Sequence, residues 1–111
     1  MAVNKELNPP RLLLALNERY QIYETEKEAC IGAKEKPGLP RVYRICAEIE
    51  PDTKNQIPIN PPKFILVWHL EVFSGISKLL KEHRNRFVQG GEIKVFIVDQ
   101  SITCPMQEQK T

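Results

Sequence analysis

His69 and Glu71 stand two residues apart in the apolar run FILVWHLEVF, so on a strand both side chains project to the same face. A carboxylate beside an imidazole raises its pKa and fixes its tautomer, which is what a general base requires. Cys46, in the alternating segment RVYRICAEIE, is the nucleophile that would join them if the two segments pair. No nucleophile elbow, oxyanion-hole glycines or third orienting residue stands nearby, and an ordinary cross-strand polar cluster explains the same residues. His83 falls on the apolar side of a helical repeat, where a histidine hydrogen-bonded within the core is the commoner case.

Two further patterns suggest other chemistry. Glu92-Ile93-Lys94 is similar to the ExK element of restriction-endonuclease-like nucleases, in which the carboxylate holds a divalent metal and the lysine assists the attacking water. That element needs an acidic partner, for which Glu71 is the best candidate, and an apolar approach; here Gly90-Gly91 precede it. Lys78, Lys81, Arg84 and Arg86 make one helix basic, a surface suited to phosphates that Arg41, Arg44, Lys54 and Lys63 would extend. No helix-turn-helix spacing, aromatic RNA-binding signature or GxxG loop accompanies it. The phrase PRVYRI resembles a strand of small bacterial ribonuclease toxins, but the basic and aromatic residues expected on the following strands are missing, so that family is not carried over.

The elements that must position these residues follow from periodicity. Phe64 to Asp99 reads as strand, helix, strand: an apolar strand over 64–73, an amphipathic helix over 76–88 and a strand over 92–99. The helix gathers Ile76, Leu79, Leu80, His83 and Phe87 on one side, with Lys78, Lys81, Glu82 and Asn85 opposite. Asn8-Pro9-Pro10 followed by Leu12, Leu13, Leu16 and Tyr20 predicts a helix over about 9–18, and TyrGlnIleTyr predicts a strand near 19–25. Arg41 to Glu50 alternates as a strand. The segment 51–63 carries four prolines and reads as a long extended loop. Residues 1–8 and 100–111 read as frayed tails, and no internal repeat is picked out.

The expected fold is therefore a two-layer α+β sandwich, with a mixed sheet of about four strands, one helix in a β-α-β unit and an N-terminal helix. One sheet face, made of Arg44, Cys46, Glu48, His69, Glu71 and Lys94 interleaved with apolar residues, is too polar for a core and too apolar for water alone.

Composition excludes more than it assigns. The 111 residues make one domain, and 41% apolar with 27% charged residues is ordinary for a globular chain. A net charge of +2 lacks the basic excess of a dedicated nucleic-acid binder. No apolar run spans a bilayer and no signal-peptide pattern opens the chain. Three cysteines, Cys30, Cys46 and Cys104, are odd in number and widely spaced, which predicts reduced thiols in the cytosol and no metal site. The expected function is a non-catalytic, cytoplasmic, regulatory protein-interaction module without a cofactor. It would bind a protein partner through the face carrying Arg44, Glu48, His69, Glu71 and Lys94, or through the Pro-rich loop. The alternatives are nucleic-acid binding through Lys78, Lys81, Arg84 and Arg86, and a small enzyme using His69 and Glu71. An unpaired edge strand would permit a homodimer.

Overall fold

The computed structural model describes residues 3–16, 19–36, 38, 40–50, 53–68, 71–73, 76–82 and 93–105. They form β1 (Val3–Leu16), β2 (Tyr20–Tyr23), α1 (Glu26–Lys34), β3 (Arg41–Ile49), β4 (Gln56–Val67), β5 (Glu71–Phe73), α2 (Ile76–Glu82) and β6 (Ile93–Thr103). All strands join one sheet in the order β2-β4-β3-β6-β1-β5, and every pairing is antiparallel.

This overturns the expected sandwich. Its N-terminal helix is a strand: Leu12, Leu13, Leu14 and Ala15 are all buried, because β1 is covered on both faces. Four consecutive leucine-rich positions satisfy a helical stripe and a doubly buried strand equally, and pairing with β6 and β5 decides between them. The supposed loop 51–63 contains residues 56–63 of β4, and of the supposed tails residues 3–8 belong to β1 and residues 100–103 to β6. The single strand 64–73 divides into the end of β4 and β5. The helix 76–88 is described over Ile76–Glu82; its remainder lies outside the described residues. The segment after β2 is helix α1, capped by Thr25, whose Oγ1 accepts from Glu28 N at 3.1 Å, with Glu26 and Glu28 in the first turn.

The expectation of no internal repeat is also corrected. The elements run β-β-α-β twice: β1-β2-α1-β3, then β4-β5-α2-β6. Asn8-Pro9-Pro10-Arg11-Leu12-Leu13-Leu14 in β1 corresponds to Asn60-Pro61-Pro62-Lys63-Phe64-Ile65-Leu66 in β4, and both Asn–Pro bonds are cis. The pairings obey the same correspondence. Leu13 opposes Phe96 and Val72, while Ile65 opposes Tyr43 and Ile22. Buried Ala29 of α1 matches buried Leu79 of α2. Ile45 and Val98 are equivalent and pair with each other, so the pseudo-twofold axis passes between them at the centre of the sheet.

The order of the strands forces the sheet to curl. β1 and β2 are four strand intervals apart, about 19 Å in a flat sheet, yet the link from Leu16 to Tyr20 spans at most about 14 Å. The same holds for β4 and β5. Curvature brings Tyr20 of β2 against Phe96 of β6, with ring centroids 6.2 Å apart. Leu13, Ala15, Tyr43, Ile45, Ile65, Val67, Phe96 and Val98 fill the concave side and form a core that needs no helix to cover it. On the convex side α1 covers Val42, Leu66 and Ile102, and α2 places Leu79 on Leu12, Leu14, Ile49 and Val95.

The thiol expectation changes too. Cys30 of α1 is bonded to Cys104, just past β6, with Cα atoms 5.5 Å apart; Cys46 alone is free. No described helix is long and apolar enough to cross a membrane.

Candidate functional site

Each central strand is interrupted near the axis. In β3 the register shifts around Cys46, leaving it as the extra residue of a bulge between Ile45 and Ala47. Asp99 stands at the equivalent point of β6. Opposite them the Asn-Pro-Pro segments break the registers of β1 and β4, since proline supplies no N–H to a ladder. The bulge at Cys46 also switches the parity of β3. Tyr43 and Ile45 face the concave core, whereas Ala47 and Ile49 pair with Ile97 and Val95 on the convex side.

That switch splits the polar face expected from alternation. Arg44 lies on the convex side. Glu48, opposite Phe96, lies on the concave side and reaches Lys94 at 3.4 Å. Glu71 pairs through its backbone with Leu14 in β5, and His69 lies outside the described residues. The His69–Glu71–Cys46 cluster is therefore not assembled by the described residues. His83, Arg84, Arg86 and Glu92 also lie outside them; Lys78 and Lys81 are exposed on α2. Among the described residues no group of three acidic, histidine or cysteine side chains converges on a metal position.

The residues gathered beside the axis are different ones. Arg44 donates from Nε to Asp99 Oδ1 at 2.9 Å and from Nη2 to Oδ2 at 2.7 Å, a two-pronged contact between partly buried groups. The hydrogen bond to Asp99 raises the guanidinium pKa further, offset in part by burial. In the other half, Ile97 stands where Arg44 would be and Cys46 where Asp99 would be. Nothing there corresponds to the ion pair, and a cleft of about 480 Å³ remains. It is lined by Pro10, Leu12, Ala47, Pro58 and Ile97, with Cys46 on its wall and Arg11 and Gln56 at its edge. Sequence reasoning missed this site, although the first of the two Asn-Pro-Pro-basic motifs supplies Pro10 and Arg11 to its lining.

Cys46 donates weakly to the Ile97 carbonyl at 3.5 Å. Burial, then Asp99, raise its pKa above the usual thiol value, while Arg44 lowers it. The thiolate is thus scarce at neutral pH, the opposite of what a catalytic nucleophile needs. Alkylation by iodoacetamide at pH 7.5 should be slower than that of an unhindered thiol and should climb only as pH passes the ordinary cysteine range. Asp99→Asn removes a carboxylate that disfavours the thiolate and leaves Arg44 unpaired, so its alkylation curve should move to lower pH. Mass spectrometry of the labelled Cys46 peptide reads both effects, and a curve that moves upward would refute the assignment.

Comparison with protein-family models, with curated proteins and with solved structures gave no match.

Proposed function

We propose that this chain is a non-catalytic binding module that engages a protein partner through the convex cleft beside Cys46. One observation carries the reading: among the described residues this cleft lies in one of the two equivalent halves. The Arg44–Asp99 pair occupies the corresponding place in the other half. A volume of this size is within the range of binding pockets, and apolar walls with few polar groups suit an aliphatic side chain. The Pro-rich segment retains a part in this reading, since Pro58 of β4 forms one wall. The lone thiol is poorly ionised, which favours a binder over an enzyme.

The Cys30–Cys104 bond favours an oxidising compartment over the cytosol expected from the cysteine count, because disulfides persist mainly in oxidising surroundings. Nucleic-acid binding through Lys78 and Lys81, and self-association through an edge strand, are outcomes the test must separate.

The test places the closed half's own solution in the open half. Cys46→Asp combined with Ile97→Arg writes the Arg44–Asp99 pair into the cleft. Partners copurifying with the wild-type chain should be lost from this variant and retained by Lys78→Glu/Lys81→Glu. N-ethylmaleimide on Cys46 of the folded wild-type chain gives the same block without a substitution. Partners retained by both blocked forms, or lost only from the lysine variant, would sink the reading.

A further inference from the structure

The two helices are fastened to the sheet in different ways. α2 presses Leu79, fully buried, onto Leu12, Leu14, Ile49 and Val95. α1 has nine residues, and those it buries are the small Ala29, Cys30 and Gly32; its largest apolar side chain, Ile31, is 48% exposed. A helix this short does not hold itself in water, and small side chains give it little apolar grip. Just beyond it, Lys36 adds one cation–π contact, 4.5 Å from the ring of Trp68. The firmest hold on α1 is the covalent bond from Cys30 to Cys104. Its two residues are not equally open. Cys30, on the underside of α1, is 6% exposed. Cys104 is partly exposed and lines a cavity of about 270 Å³ with Ala33, Pro40, Val42 and Ile102, which Cys30 does not line.

We infer that the Cys30–Cys104 bond is a thiol-exchange site, attacked at Cys104, through which a dithiol releases α1 from the sheet. A thiolate entering the cavity bonds to Cys104 Sγ as the disulfide breaks. The electron pair leaves on Cys30 Sγ, which takes a proton from water. The second thiol of the reagent then displaces Cys104, which is protonated in turn, and the reagent departs as its own disulfide. Access sets this order, because exchange proceeds at the sulfur a thiolate can reach. Once freed, α1 lifts from Val42, Leu66 and Ile102, whereas the sheet stays folded on its concave core, which no helix covers. Nothing in this device depends on the cleft beside Cys46.

The full-length, disulfide-bonded chain is exposed to glutathione, quenched in acid and digested, and each cysteine peptide is read by mass spectrometry. The glutathione adduct should fall on Cys104 over Cys30 by about tenfold or more. Its rate should barely change in urea well below the unfolding transition, since attack on the folded chain exposes little new surface. After full reduction with dithiothreitol, hydrogen exchange should show α1 stripped of most of its protection while Ile45 and Val98, at the centre of the sheet, keep theirs. Cys30→Ala/Cys104→Ala should reproduce that pattern without any reagent. An adduct mainly on Cys30, or exchange that begins only as urea unfolds the whole chain, would overturn the site of attack. Protection of α1 retained after reduction, or lost together with that of Ile45 and Val98, would overturn the release of α1.

Discussion

Reduction of Cys30–Cys104 is expected to lower the free energy of unfolding by about 4 kcal/mol, the chain-entropy value for a cross-link closing a loop of this length. The bond joins residues 74 apart, from the middle of α1 to the end of β6, and so encloses most of the fold. It also fixes the position of α1. That helix packs Ala29 and Cys30 on Val42, Leu66 and Ile102, and Tyr23 lies so close across it that a side chain at Gly32 would meet the tyrosine ring. The equivalent helix α2 has Leu80 where α1 has Cys30 and therefore no such tie. Urea unfolding with and without a dithiol reductant measures the difference, and amide exchange should show the loss first in α1. A change below about 1 kcal/mol would mean that the unfolded chain gains little freedom from the cut, contrary to the loop-closure account.

Phe96→Ala should cost about 3–5 kcal/mol, the range for emptying a fully buried aromatic site. Phe96 is 1% exposed in the concave core and meets Tyr20 edge-on. The result discriminates between two architectures. In a flat sheet with helices on one side, Phe96 would lie on the mixed, partly solvated face and its truncation would cost little. In the curled sheet it is a central filler whose loss cannot be relieved, because the strands on both sides are tied to the axis. Leu79→Ala, on the side of α2 that packs against the convex face, supplies a comparison of similar burial but greater local freedom. A Phe96→Ala cost near 1 kcal/mol would contradict the curl.

Much of the local structure was legible and most of its assembly was not. The strands expected over 41–50 and 92–99 correspond to β3 and the start of β6, and the stripe containing Leu79 identified the apolar side of α2. Residues 12–15 were misread because a strand buried on both faces has no period-two signature, so a leucine run can pass for a helical face. Prolines 58, 61 and 62 disguised β4, since proline is ordinarily excluded from a ladder; here the strand bulges and carries on. The decisive miss was Cys46. Nothing in RVYRICAEIE reveals the extra residue that turns Ala47 and Ile49 to the opposite face, so Arg44 and Glu48 were placed together although the sheet separates them. The repeat itself was readable in NPPRLLL and NPPKFIL, once one segment was not taken for a helix and the other for a loop. With the repeat in hand, the contrast between Arg44–Asp99 and Ile97–Cys46 becomes visible as well.

Site-resolved photocrosslinking tests the central claim most directly. A benzophenone amino acid is introduced at Gln56, which lines the cleft, at Ile57, whose side chain turns to the other face of β4, and at Lys78 on the exposed side of α2. Each variant is irradiated in the presence of its native surroundings. The account predicts a discrete protein adduct from position 56, abolished by Cys46→Asp/Ile97→Arg, with none of that adduct from 57 or 78. An adduct formed from 57 or 78 but not from 56, or one from 56 that survives filling of the cleft, would contradict it.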